Sequence, residues 1–222
     1  MPRVARIILP GYPHHVVQRG NNKQYVFFSD EDRERYIDLL RKYSSQFNCI
    51  INAYCLMNNH VHTLLVPGNT KALSKTMHRL GLTYAQYINR KYNRTGRLWE
   101  TRFHSSLVDR DAYLWIVCRY IERNPVRAGI VLYPKDYKWS SVRCSISERD
   151  RSFVKSPWQD PEDKEEYIKF LNTPENIEEV EMIERANKNS SPIISENFFR
   201  SVAKDLSIKA SSHMPRVSSI AK

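Results

Sequence analysis

The sequence lacks the features that mark membrane-bound and secreted proteins. No apolar stretch reaches the ~18 residues that a membrane span requires, and the short apolar patch before Pro10-Gly11 is not a signal peptide. Cysteine is scarce and forms no Cys-x-x-Cys pair, which argues against a structural zinc site; the four cysteines are Cys49, Cys55, Cys118 and Cys144. We therefore expect a cytoplasmic protein whose cysteines are reduced and buried.

Acidic residues are scarce in the first two-thirds of the chain. Residues 1–147 hold 23 Lys and Arg against 10 Asp and Glu, whereas residues 148–222 hold 12 against 14. The first segment is therefore strongly basic, with a formal charge of +13, and the second is close to neutral, at −2. Such an imbalance favours a polyanionic partner, most often nucleic acid, although some soluble domains are basic without binding one.

The chain has no internal repeat, and its apolar periodicity predicts mixed secondary structure. The predicted order is strand, helix, strand, strand, helix, a further strand within Trp99–Val108, and a helix that ends at Pro125. This order predicts an α+β fold, a ferredoxin-like antiparallel sheet with helices on one face. We predict that residues 1–147 form this domain and that residues 148–222 form a small helical C-terminal appendage with a flexible end, Ser211–Lys222.

The tripeptide His60-Val61-His62 follows an apolar, β-branched run and the turn residues 57–59, so it predicts the second strand of a tight pair. Residues two apart on a strand share a face, so His60 and His62 project side by side. Two neutral imidazoles in this arrangement can hold a divalent metal ion, while a pair of packed core histidines is the alternative interpretation. His14 and His15 are adjacent on the first predicted strand, so at most one of them can join this site.

A second group of polar residues lies on the predicted helix over 111–123. Tyr120 and Asn124 are four residues apart and share a face, and a basic stripe lies beside it, formed by Arg119, Arg123 and Arg127. A tyrosine hydroxyl can attack a phosphodiester when a metal ion polarises the phosphate and helps the phenol to ionise. Asn124 can supply an oxygen ligand to that ion. A core tyrosine is the alternative interpretation of Tyr120, and Tyr113, two turns earlier on much the same face, is the alternative nucleophile.

Five motifs occur in a characteristic order along the chain, and Arg97 and Arg102 in the third are candidate phosphate contacts. The motifs are Val17–Asn22, Cys55–His62, Gly96–Phe103, Arg119–Gly129 and Tyr137–Ser141. Together they resemble the HUH single-tyrosine transposases and, more narrowly, the REP-associated tyrosine transposase branch of that family. The resemblance covers about residues 4–145. Asn58 stands where relatives commonly carry proline, a departure that alters the turn more than the chemistry because Asn also suits a turn.

The resemblance implies roles for these residues. His60 and His62 would bind Mg²⁺ or Mn²⁺ with Asn124 as the third ligand, and Tyr120 would be the nucleophile. The implied reaction cleaves single-stranded DNA next to a hairpin, either a REP-like palindrome or the palindrome of an element end, and leaves a 5′-phosphotyrosine and a free 3′-hydroxyl. Expected DNA contacts are Arg97, Arg102, Arg119, Arg123 and Arg127. Members act as monomers or homodimers, and we expect this one at the bacterial nucleoid.

Two other functions remain open from the residues alone. The first is a hairpin-binding protein, domesticated from such a transposase, that recognises DNA or folded RNA without cutting it; the intact set of motifs disfavours this function. The second is a metallohydrolase of small phosphate esters. It fits less well, because Leu64 occupies the Asp position of the His-x-His-x-Asp pattern.

Overall fold

The computed structural model describes residues 6–146, 153–156, 158 and 160–202. At its centre is a four-stranded antiparallel sheet in the order β2-β3-β1-β4. The strands are β1 (His14–Arg19), β2 (Cys49–Met57), β3 (His60–Pro67) and β4 (His104–Leu107). The α+β prediction is confirmed, and the further strand predicted within Trp99–Val108 is β4.

Two long helices, α1 (Asp30–Gln46) and α2 (Ala72–Lys91), pack against each other over one face of the sheet. α1 begins with a capping box, in which the Ser29 hydroxyl accepts from the Asp32 amide and the Asp32 carboxylate accepts from the Ser29 amide. The same carboxylate is fully buried and accepts hydrogen bonds from Lys91 and Tyr92 at the end of α2. One side chain therefore starts α1 and ties it to α2.

The strand register determines which side chains share the opposite face. His62 pairs with Val17 of β1 and with Cys55 of β2, and His60 pairs with Arg19 and with Met57. Because side chains alternate along a strand, His15 lies on the same face as His60 and His62, and His14 lies on the other. We call the face that carries His15, His60 and His62 the histidine face.

A third helix covers the histidine face, in addition to the two helices on the opposite face. α3 (Arg110–Glu122) begins at the N-cap Asp109 and packs against β2 and β3. The short helix α4 (Asn124–Arg127) follows it directly. The sequence predicts that the helix ends at Pro125, and α3 ends three residues earlier, at Glu122. Pro125 lies in the first turn of α4, where a backbone N–H has no partner within the helix, so the proline is tolerated.

The described part of residues 148–222 is largely helical. It contains α6 (Pro161–Asn172), α7 (Ile177–Asn189) and α8 (Glu196–Val202), after the short α5 (Val142–Ile146). Its connecting segments reach the sheet region, since Val154 bridges to Ile51 and Ile193 bridges to Val108. The end that we predict to be flexible, Ser211–Lys222, lies outside the described residues. Among the helices described, none has the length and apolar character needed to cross a membrane.

Candidate active site

The two histidines of the predicted metal site lie at the start of β3 with their rings close together. The ring centroids of His60 and His62 are 4.9 Å apart. His62 is 4% exposed, whereas His60, the first residue of β3, is half-buried. The flanking strands β1 and β2 hold both residues in register. The pair is therefore rigid, with one histidine in the interior and one at the surface.

α3 brings the predicted nucleophile to this pair. The ring of Tyr120 meets that of His62 edge-on, with centroids 5.8 Å apart, and meets that of His15 at 5.7 Å. The side chain is 5% exposed. Of the two candidate tyrosines, only Tyr120 has a ring contact with a histidine within the described part of the chain; Tyr113 lies near the start of α3, half-buried.

Both histidine rings are hydrogen bonded through Nδ1. His60 Nδ1 lies 2.7 Å from Asn59 Oδ1, and His62 Nδ1 lies 2.9 Å from His15 Nε2. Burial lowers the pKa of His60 to about 4 and that of His62 well below its ordinary value, with the nearby Arg19 and Arg127 adding to the effect for His60. A neutral imidazole that donates its proton from Nδ1 is the form in which histidine binds a metal through Nε2, and both contacts allow that form. The residues present therefore fit a divalent ion.

Arg127 lies against the predicted nucleophile. Its guanidinium carbon is 4.1 Å from the centroid of the Tyr120 ring, and its Nη2 donates to the Tyr120 carbonyl at 3.2 Å. Burial raises the pKa of the Tyr120 phenol, and the positive charge of Arg127 opposes that rise. Arg127 also pairs with Glu175, which precedes α7.

Asn124, the predicted third ligand, lies one turn beyond Tyr120 and is buried. Its Nδ2 donates to the Tyr120 carbonyl at 2.9 Å and to the Ile121 carbonyl at 3.3 Å, so the amide group caps the end of α3. These contacts use the nitrogen of the amide group and orient its oxygen away from the helix end. Asn124 Oδ1 stays a predicted ligand.

Four of the five predicted DNA-contacting arginines fall into two groups, and the fifth, Arg127, lies over the Tyr120 ring and pairs with Glu175. Arg97 and Arg102 are exposed in the segment between α2 and β4. Arg119 is 4% exposed, stacks on Phe170 and pairs with Glu179, and Arg123 pairs with Glu175. The surroundings of Arg119 and Arg123 are those of structural ion pairs between α3 and the C-terminal helices, because buried guanidinium groups require a partner.

Sequence reasoning missed the aromatic rim, an exposed surface formed by Tyr25, Phe28, Lys23, Arg94 and Arg97. Tyr25 is 59% exposed and Phe28 is 43% exposed, and the Arg94 guanidinium lies 5.2 Å from the Phe28 ring centroid. The rim adjoins the histidine pair, since the carbonyl of Lys23 accepts from Asn59 Nδ2. A local signal exists in the sequence, because Lys23 and Gln24 are followed directly by aromatic residues at positions 25, 27 and 28.

Comparisons with known proteins bear on this arrangement. A family model described as "Transposase IS200 like" matches residues 10–124, just over half of the chain. No curated protein matches. Among solved structures, a REP-associated tyrosine transposase bound to a REP hairpin matches at a TM-score of 0.57 and 16% identity, over 72% of this chain and 92% of that chain. At this identity the likeness shows the fold.

Two further solved structures are more distant. A candidate transposase from Deinococcus radiodurans R1 has a TM-score of 0.39 and 20% identity, over 55% of this chain and 97% of that chain. A bacterial tRNA(His) guanylyltransferase-like protein in complex with GTP has a TM-score of 0.37 and 16% identity, over 60% of this chain and 74% of that chain. We draw no argument from either. The family model, which spans the sheet, Tyr120 and Asn124, shows that this chain belongs to the IS200-like transposase family.

Proposed function

We propose that this protein is a metal-dependent endonuclease and strand transferase, which cleaves single-stranded DNA beside a hairpin through a 5′-phosphotyrosine intermediate. The observation that carries the proposal is the contact between the rings of Tyr120 and His62, with centroids 5.8 Å apart, on the face that also holds His60. A tyrosine beside a histidine pair can place its hydroxyl next to a phosphate held by a metal ion.

Each residue has a defined part in this chemistry. The Tyr120 hydroxyl oxygen attacks phosphorus and forms the new O–P bond, and the bond to the 3′-oxygen breaks. The phenol proton passes to solvent, and the 3′-oxygen takes up a proton to become the free hydroxyl. Arg127, over the Tyr120 ring, favours the phenolate that forms as the proton leaves.

His60 and His62 would hold Mg²⁺ or Mn²⁺, with Asn124 Oδ1 as the third ligand. When bound, the ion polarises the phosphate and helps the phenol to ionise. The protein would supply two imidazole nitrogens and one amide oxygen. These three ligands would not fill the coordination shell of the ion, so phosphate oxygens of the DNA could also bind it.

A hairpin substrate is supported by the fold likeness to a transposase that was solved with a REP hairpin bound. The exposed Arg97 and Arg102 are the proposed phosphate contacts from the predicted set, and the aromatic rim offers Tyr25 and Phe28 to unpaired bases. Arg119 and Arg123 are not part of the proposal, because their guanidinium groups pair with Glu179 of α7 and with Glu175 just before it.

The deciding experiment is a denaturing gel of the purified protein with labelled single-stranded hairpin oligonucleotides from its own genomic flanks. Reactions contain Mg²⁺, Mn²⁺ or chelator, and Tyr120→Phe and Tyr113→Phe are run beside the unaltered protein. We expect a denaturant-resistant protein–DNA adduct that requires the metal and is lost in Tyr120→Phe but kept in Tyr113→Phe.

The other outcomes have distinct meanings. An adduct that persists in Tyr120→Phe and disappears in Tyr113→Phe assigns the nucleophile to Tyr113. Retardation of the hairpin on a native gel, with no adduct under any condition, would identify a hairpin-binding protein that does not cut.

A further inference from the structure

Both histidines of the proposed metal site make a hydrogen bond through Nδ1, the ring nitrogen other than Nε2. The partner of His60 Nδ1 is Asn59 Oδ1, and the partner of His62 Nδ1 is His15 Nε2. Neither Asn59 nor His15 is among the proposed ligands or nucleophiles. The position of a histidine proton is set by the bond that its other nitrogen makes, so these two partners decide whether Nε2 can bind a metal.

The bond to Asn59 has only one possible polarity. Asn59 Nδ2 donates to the carbonyl of Lys23 at 3.1 Å, which fixes the orientation of the amide group and leaves Oδ1 facing His60. An amide oxygen can only accept, so the proton must lie on His60 Nδ1. His60 Nε2 then carries a lone pair.

The bond between His15 and His62 has two possible polarities. If His15 donated, the proton of neutral His62 would lie on Nε2, and this nitrogen could not bind a metal. If His62 donates, its Nε2 carries the lone pair and His15 carries its proton on Nδ1. The two ring planes lie within 23° of each other with centroids 5.2 Å apart, so the rings meet edge to edge through this bond, and both residues are buried.

The surroundings of His15 can accommodate a proton on Nδ1. Among the described residues this atom is buried and has no hydrogen-bond partner. Ser106 is directly opposite His15 on β4, and within the same described part its Oγ is also buried without a partner. Residues directly opposite in a sheet have Cβ atoms about 5 Å apart, so one water could bridge the Ser106 hydroxyl and the ring.

We infer that His15 and Asn59 are positioning residues. Each accepts the Nδ1 proton of one metal ligand, His15 from His62 and Asn59 from His60, and so directs both Nε2 lone pairs toward one ion. The proton position of His60 follows from the contacts of Asn59 alone, whereas the choice of His62 as the donor to His15 and the metal part of the inference rest on the proposed function; both proton positions can be measured in the metal-free protein.

The proton positions can be measured directly. Long-range ¹H–¹⁵N correlation spectra of the metal-free, ¹⁵N-histidine-labelled full chain distinguish Nδ1–H from Nε2–H rings. We expect both His60 and His62 to carry the proton on Nδ1. In His15→Leu, the His62 ring loses this preference while His60 keeps it, and Asn59→Ala has the reverse effect. A His62 ring protonated on Nε2 in the unaltered protein would overturn the inference.

Metal affinity supplies the second readout, through titration with Mn²⁺ in the absence of DNA. Loss of such an outer partner typically weakens metal binding by about 10- to 100-fold, and we expect this loss in His15→Leu. His15→Gln restores an acceptor near the Nε2 position, so its affinity should return to within a few-fold of the original. His14→Gln is the matched control, because His14 is equally buried but lies on the other face of β1.

The readouts separate this inference from the proposed function. Expected proton positions without Mn²⁺ binding would support the positioning roles and refute the metal site. Mn²⁺ binding that is equally tight in His15→Leu, or equally weak in His15→Leu and His15→Gln, would refute the role of His15 and leave the proposed function intact. If His15→Leu fails to fold, as judged by circular dichroism, the spectra of the unaltered protein and the affinity of His15→Gln decide.

Discussion

Adjacent histidines of β1 have different environments because strand side chains alternate. His15 lies on the histidine face beside His62 and Tyr120. His14 lies on the opposite face, where its Nδ1 donates to the Tyr12 carbonyl at 2.9 Å and its Nε2 accepts from the Leu9 amide at 3.3 Å. Both ring nitrogens of neutral His14 are therefore used, and the ring is buried away from water.

This geometry predicts that protonation of His14 opposes folding. Burial lowers the pKa of His14 to about 4 from an ordinary value of 6.5. Between these two pH values the unfolded chain binds the proton and the folded chain does not, so the free energy of unfolding falls as the pH drops from about 6.5 to about 4. The loss from His14 alone is on the order of 3 kcal/mol.

Urea unfolding at a series of pH values measures this effect. His14→Gln should flatten the dependence of the unfolding free energy on pH over this range, and the difference from the unaltered protein isolates the share of His14. His78→Gln, at an exposed position of α2, should leave the dependence unchanged. An identical pH dependence in all three proteins would show that His14 does not couple folding to protonation.

At the scale of elements, the segment before α1 connects the β2–β3 turn to the loop after α2. The amides of Gly20 and Val26 donate to the carbonyls of Asn59 and Asn58, and Gln24 Oε1 accepts from Arg94. The segment is therefore held on both sides and presents Tyr25 and Phe28 outward. Three backbone and side-chain connections of this kind make the aromatic rim a defined surface next to the histidine pair.

We predict that Tyr25 stacks on an unpaired base. Base–aromatic stacking is worth about 1–3 kcal/mol per base, so Tyr25→Ala should weaken hairpin binding by roughly 5- to 150-fold, whereas Tyr25→Phe should retain it. Fluorescence anisotropy with chelator present measures binding without cleavage. Tyr133→Ala is the matched control, because Tyr133 is similarly exposed, at 56%, in the segment after α4. Equal losses in Tyr25→Ala and Tyr133→Ala would argue against stacking at the rim.

At the scale of the whole molecule, α3 is bonded to both the sheet domain and the C-terminal helices. The Glu122 carboxylate is 1% exposed and accepts from the Ser141 hydroxyl at 2.6 Å and from the Tyr167 hydroxyl of α6 at 2.7 Å. Arg119, three residues earlier, pairs with Glu179 of α7. The helix that carries Tyr120 is therefore also one of the links to residues 160–202.

These bonds predict that the C-terminal helices and the sheet domain unfold together. Circular dichroism and tryptophan fluorescence should give one coincident thermal transition. Tyr167→Phe removes a hydrogen bond to a buried carboxylate and should lower the free energy of unfolding by about 1–3 kcal/mol without splitting that transition. Tyr133→Phe, at an exposed position, serves as the control. A separate early transition for the C-terminal helices would instead indicate an independently folding appendage.

Much of the fold and the core of the candidate site could be predicted from local patterns. Strand alternation places His60 beside His62, helix periodicity places Asn124 one turn after Tyr120, and Ser29 identifies the start of α1, as the structure confirms. The meeting of Tyr120 with the histidine pair came from the resemblance to a family. The roles of these residues in catalysis stay predictions.

The remaining features depend on which segments pack together. A pattern of basic residues predicts DNA contacts equally for Arg97 and Arg119, yet α6 and α7 supply Phe170 and Glu179 to Arg119 and leave Arg97 exposed. The sequence by itself determined the elements and the residues that share a face, because both follow from repeats of two and 3.6 residues along the chain. Only the tertiary structure decided that His15, and not His14, bonds to His62, because this depends on the register of β1 against β3, which joins residues 47 positions apart.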